Sequence, residues 1–303
     1  MEIPQKLQDL YRHWEHHTQP IPFSNSEALD QKILAEMESF MVERMQIWEK
    51  KVFQQTPPHT QDKVLQKFRF CNIYRELDKQ TIEIHEHLED LRSNFPLWLL
   101  NLAFHRFVCN PTTVKKVGLL NFLHKNNEQV YENLMELERP KYGTAYIFPI
   151  STIQRSECPT REEFFCFYLP SVMKKITSAV EKFKNTTVLE ALDTVFPLFG
   201  FNLKFHWTEI LIDVAYQFPQ LINLYKDFPI GPGSLPTMKR LNNKLNPTET
   251  CNLLAHHRPK DFPYLTYKGK EVLLSAENWE GVGCEFRKYT NLGQGRGRIR
   301  KYH

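Results

Sequence analysis

Three short stretches carry side chains whose types and spacing could do chemistry. KDFPIGPGS, residues 226–234, sets Asp227 just ahead of two glycines that bracket a proline. CEFRKY, residues 284–289, places Glu285 and Lys288 one helical turn apart, a spacing that serves an ion pair as readily as a reaction centre. NIYRELD, residues 72–78, puts Asn72, Arg75 and Asp78 at i, i+3 and i+6. On one face of a helix these three can read a base edge or grip a phosphate, and an internal salt bridge of Arg75 would use the same geometry. A carboxylate such as Asp227 can stabilise an oxocarbenium ion or activate a water. The glycines do not form a nucleotide cradle, because neither G-x-x-x-x-G-K-[ST] nor G-x-G-x-x-G surrounds them.

Helices must position these groups. Residues 27–54 carry Leu29, Ile33, Leu34, Met37, Phe40, Met41 and Met45 at helical spacing, a stripe that reads as core or as a packing seam. Amphipathic segments follow at about 62–92, 96–108, 111–137, 160–184 and 187–196, most of them separated by Pro or Asn/Gly. PLFGFN at 197–202 then makes a tight turn into a helix over about 203–218. That helix sets Trp207, Ile210, Leu211, Val214 and Phe218 on one face and His206, Glu209, Asp213 and Gln217 on the other. Helix, short glycine-containing turn and helix fit either a plain αα-hairpin or a helix–hairpin–helix element whose amides bind a DNA phosphate. Period-two alternation is confined to YLTYKGKEVLL, which predicts a small hairpin at Lys268-Gly269. The expected fold class is all-α with at most a minor β ribbon, as an N-terminal helical extension over 1–60 and one helical domain over 61–303.

Composition bounds the function. The formal charge is only +4, and 11 Gly against 19 Pro argues against a glycine-rich nucleotide fold. Basic charge gathers at the C-terminus, where Arg296, Arg298, Arg300 and Lys301 stand among glycines. This suits an arm that meets phosphates or, equally, a solvated terminus. The N-terminus has no apolar signal region, and the apolar runs are too short to cross a bilayer. The cysteines at 71, 109, 158, 166, 251 and 284 show no C-x-x-C pair, which argues for reduced thiols in a cytoplasmic protein. His85 with His87, and His256 with His257, lack metal-ligand spacing and read as surface residues, so no metal is expected.

Taken in chain order, FRFCNIYRELD (68–78), FPLWLLNLAFHRF (95–107), YGTAYIF (142–148), the 197–218 hairpin, DFPIGPGS and CEFRKY resemble a known series of motifs. It is that of the helical domain shared by 5-hydroxymethyluracil DNA kinases and glutamyl/putrescinyl-thymine pyrophosphorylases, a family similar in fold to helix–hairpin–helix DNA glycosylases. The resemblance spans nearly all of 62–303. It implies Asp227 as the essential carboxylate, with Asp213 and Lys204 as further catalytic candidates. It implies a base pocket of Asn72, Arg75, Asp78, Tyr146, Phe228, Glu285 and Lys288. DNA contacts would come from Gly200, Asn202, Lys204, Gly231, Gly233, Ser234, Arg296, Arg298 and Arg300. PLFGFN at 197–202 looks like a degenerate form of the hairpin of that fold, with Asn202 where its second glycine would stand.

The expected function is a DNA glycosylase that flips and excises a bulky modified pyrimidine, such as glucosylated hydroxymethylcytosine, from double-stranded phage DNA as antiviral defence. The alternative is a transferase that attaches an amino acid or polyamine to pyrophosphorylated 5-hydroxymethyluracil in DNA. A third reading is a non-enzymatic reader of modified DNA. None of the three calls for a cofactor, a metal or a membrane.

Overall fold

Local signals start the helices. Asp30 caps Gln31–Val52 by accepting the Ile33 N–H, Asn94 caps Phe95–Val108, and Thr187 with Glu190 closes a capping box ahead of Val188–Phe199. The computed structural model describes residues 1–19, 26–143 and 147–297. Over these the regular secondary structure is helical apart from very short β pairings. Thr186–Thr187 lies parallel to Ile222–Asn223, and Thr266–Tyr267 lies antiparallel to Lys270–Glu271. The second pair is the hairpin expected at Lys268-Gly269. Its turn residues have φ of 49° and 74°, the positive values that a two-residue hairpin turn requires.

The helices gather into two compact units, residues 1–78 with 224–303, and residues 79–223. The boundary expected at residue 60 does not separate them. In the first unit, Gln31–Val52 packs on Leu235–Leu241 and Ala276–Gly293. Its stripe of Leu34, Met37, Phe40, Met41 and Met45 is buried there, so the N-terminal part of the chain supplies core to this unit. The helix expected over 62–92 is broken. Lys63–Lys67 ends before a loop with a single 3₁₀ turn at Arg75–Leu77, and Lys79–His87 begins after it. The segment expected over 111–137 likewise divides into Pro111–Val117 and Glu128–Glu136.

The second unit is built around Phe95–Val108, Leu169–Val180, Val188–Phe199 and Lys204–Gln217. The last of these is buried all round from His206 to Gln217, so the polar face expected at His206, Glu209, Asp213 and Gln217 lies inside. Asp213 is fully buried and accepts two hydrogen bonds from Arg106, at 2.5 and 2.6 Å. His85 stands 3.1 Å from the same carboxylate, and His87 pairs with His105 at 2.9 Å. His85 is therefore an interior residue and His87 is half-buried, neither of them the free surface histidine that spacing alone implied. Charged side chains are tolerated inside when each has a counter-charge or a hydrogen bond, and a polar stripe then marks a buried network. Among the described residues no helix is long and apolar enough to cross a membrane.

Candidate functional site

Helix Ala276–Gly293 starts at a capping box between Ser275 and Asn278. Ala276, Trp279, Val282, Gly283 and Phe286 form its buried face. Glu280, Cys284 and Lys288, at i, i+4 and i+8, with Glu285 beside them, line its shoulder and meet two loops.

Residues 231–234 lie along the first half of that shoulder. Glu280 Oε1 accepts the Gly231 N–H at 3.0 Å and the Ser234 hydroxyl, and Arg287 donates to the Pro232 carbonyl at 2.9 Å. Close approach explains the glycine at 233, because a Cβ there would stand 2.3 Å from Cys284 Sγ. Gly233→Ala should therefore cost about 1–3 kcal/mol by overpacking. Cys284→Ala removes the opposing sulfur and should recover most of that loss, a coupling measurable by denaturant unfolding of the double-mutant cycle.

Residues 69–78 lie along the second half. Glu285 Oε2 accepts the Cys71 N–H at 3.0 Å, and Lys288 donates to the Arg69 carbonyl and to Glu285, the latter at 3.2 Å. Asp78 Oδ1 accepts the Asn72 N–H at 2.9 Å, while the Asn72 amide donates to the Leu77 carbonyl at 3.0 Å. Arg44, from the long N-terminal helix, donates to the Phe70 and Cys71 carbonyls at 3.2 Å each. A closed loop thus gathers Asn72, Arg75 and Asp78, where the sequence pattern predicted a helical face.

Electrostatics singles out two carboxyls. Burial pushes the Asp78 carboxyl up to about 6, against the pull of the Asn72 N–H and of Arg75, and Glu285 adds to the rise. Burial also raises Glu280, opposed by the Ser234 and Gly231 hydrogen bonds and again by Arg75. Carboxyls with proton affinity lifted toward neutrality, beside lysine and arginine, can take a proton from a nucleophile while the cations offset a departing anion.

The other expected site residues fall elsewhere. Ser234 is buried and turned to Glu280, so its hydroxyl is not on the surface, and Phe228 is 2% exposed and part of the core. Asp227 belongs to the same unit but is held at φ 50° as a turn residue. Its N–H donates to Asn252 Oδ1 at 2.9 Å, and its Oδ1 accepts the Asn252 amide at 3.0 Å. Among the described residues no hydrogen bond joins Asp227 to Glu280 or Asp78. Gly200, Asn202 and Lys204 are exposed at the αα-hairpin turn of the second unit, where Gly200 has φ 85° and the following helix starts without a side-chain cap. Asp213 is the interior partner of Arg106 in that unit. Arg296 is exposed, whereas Tyr146, Arg298 and Arg300 lie outside the described residues. Sequence reading missed Glu280, Arg44 and Arg287. Glu280 was within reach of it, since it stands one helical turn before Cys284 on the face that already held Lys288.

A 5-hmdU DNA kinase of Bacillus phage SP10 is 32% identical over 85 residues, which is 26% of this chain and 13% of that protein. The chain therefore matches a small part of that relative's length. No solved structure matches the chain, and the expected likeness to helix–hairpin–helix glycosylases finds no counterpart in these comparisons. The family described as "5-hmdU DNA kinase, helical domain" matches residues 31–296, which takes in both loops and the shoulder of the last helix, and the chain belongs to this family.

Proposed function

We propose that this chain acts on DNA carrying 5-hydroxymethyluracil-derived pyrimidines and transfers an amine, an amino acid or a polyamine, onto the activated base. The observation that supports this reading is the cluster of Asp78 and Glu280, two carboxyls of raised proton affinity that both feel Arg75, inside the segment matched by a family named for that base. In this reaction the 5-methylene carbon carries a pyrophosphate ester. The amine nitrogen forms a C–N bond to that carbon, and the C–O bond breaks with its electron pair leaving on pyrophosphate. The amine's proton passes to Asp78 or Glu280. Lys288 and Arg287 offset the charge of the leaving anion. A base reached in this way must first leave the stack.

The sequence holds no G-x-x-x-x-G-K-[ST] loop, which favours a step after activation over the phosphoryl transfer itself. Excision has less support, because the carboxylate that was to perform it, Asp227, is engaged as a turn residue with Asn252. The test uses duplexes containing 5-hydroxymethyluracil, its pyrophosphorylated form or glucosylated hydroxymethylcytosine, with and without glutamate or putrescine. Mass spectrometry of the digested nucleosides should show a mass gain on the pyrophosphorylated base that requires the amine. Release of an intact modified base would replace this reading with excision, and binding without either change would replace it with a reader of modified DNA.

A further inference from the structure

Between Arg75 and Asp78 stands Glu76, which is 1% exposed. Its Oε1 accepts the indole N–H of Trp14 at 2.7 Å and lies 2.9 Å from His13 Nε2. Its Oε2 has no hydrogen-bond partner among the described residues. The side-chain partners of this carboxylate therefore come from one short segment far away in sequence. That segment is itself fixed: Trp14 is fully buried, His17 packs at 5.0 Å against Tyr225, and the His17 carbonyl accepts the Leu273 N–H at 2.8 Å. Residues 13–17 precede the region matched by the family. Burial alone would raise the Glu76 carboxyl, but the His13 hydrogen bond and charge outweigh it and hold the group below the usual carboxylate range. An ionised carboxylate in the interior keeps its place only while its donors keep theirs.

We infer that His13 and Trp14 are positioning residues that clamp the 71–78 loop through Glu76, and so set where Arg75 and Asp78 stand against the last helix. The consequence for chemistry rests on reading that cluster as the reaction centre, whereas the clamp itself does not. Two amides report the loop directly, since the Cys71 N–H is bonded to Glu285 and the Asn72 N–H to Asp78.

Hydrogen exchange at these two amides, measured on the full chain without DNA, tests the clamp. Trp14→Phe removes one donor and keeps an aromatic ring in place. It should speed exchange at Cys71 and Asn72 about tenfold, the equivalent of one net hydrogen bond, with amides of the Lys204–Gln217 helix unchanged. Glu76→Gln keeps an acceptor oxygen for the indole and should stay within about threefold of the parent protein. If Trp14→Phe does not fold, His13→Ala removes the other donor and should give the same local acceleration. Unchanged exchange at Cys71 and Asn72 in a folded variant overturns the clamp. Acceleration that spreads evenly over the whole first unit also overturns it, because it would mark a general loss of packing. Neither result depends on any activity toward DNA, so failure of the clamp and failure of the transferase reading are distinguishable.

Discussion

Asp213→Asn is expected to cost on the order of 3–5 kcal/mol of stability, the largest effect of any single substitution in the second unit. The reason is what it leaves behind. Arg106 is 4% exposed and gives Asp213 both of its short hydrogen bonds, so an amide in place of the carboxylate strands a guanidinium charge in the core. A shift in the thermal midpoint of on the order of 10 °C follows for a unit of this size. The double replacement Arg106→Met with Asp213→Leu should be less damaging than either change alone, since an apolar pair fills the space and no charge is stranded. Burial by itself would raise the Asp213 carboxyl, but the Arg106 charge and the His85 bond outweigh it and hold it well below the usual range. A group depressed in this way contributes stability above its unfolded pKa of about 3.9 and loses it as pH falls below that value. The gap between the parent protein and Asp213→Asn should thus be full near neutral pH and shrink in acid, as thermal scans at several pH values would show. Activity lost by Asp213→Asn should return when the assay is cooled below the lowered midpoint. A loss that persists in fully folded protein would make Asp213 part of the chemistry.

The same residue shows what a sequence can and cannot disclose. Helical period grouped Asp213 on one face with His206, Glu209 and Gln217, and it marked the Met-rich stripe of Gln31–Val52, open between core and packing seam, which is buried. Period says which residues share a face. It does not say whether that face is wet, because a buried ion pair and a solvated one have the same spacing. Asp213 went inside because Arg106, more than a hundred residues earlier in the chain, came with it. At NIYRELD the helical face expected of Asn72, Arg75 and Asp78 does not form. Arg44 draws the 70–72 backbone onto the long helix and Asp78 takes the Asn72 N–H, which favours a closed loop over a continuous helix. The two glycines of GPGS were expected to contact DNA, whereas a Cβ at Gly231 or Gly233 would meet Glu280 or Cys284 of the last helix, which needed the fold to be seen.

On the proposed transferase reading, Asp78→Asn and Glu280→Gln should each abolish transfer while making the protein slightly more stable. Both replacements keep the acceptor oxygens that hold the Asn72, Gly231 and Ser234 donors, so the loops have no reason to move. What disappears is a proton acceptor, which is worth about 10²–10⁴ in rate when it works in the transition state. The stability gain comes from the sign of the shifts. A carboxyl whose native pKa is raised, to about 6 for Asp78, binds its proton more tightly folded than unfolded. It therefore costs stability as pH rises from the unfolded value of about 3.9 through the native one, and the cost persists at neutral pH. Removing the charge should return on the order of 1 kcal/mol for Asp78 at neutral pH, and flatten the fall in thermal midpoint between about pH 4 and 6. With Asp78 as the acceptor, the transfer rate of the parent protein should drop in acid with an apparent midpoint near 6. Groups that serve only to hold a fold lose stability when replaced. A carboxyl kept in a place that destabilises the protein, and whose loss stops turnover, is maintained for its chemistry. If either variant turns over at the parent rate with an unchanged acid limb, that carboxyl is not the acceptor. If both do, the proton goes elsewhere and the cluster is a structural network.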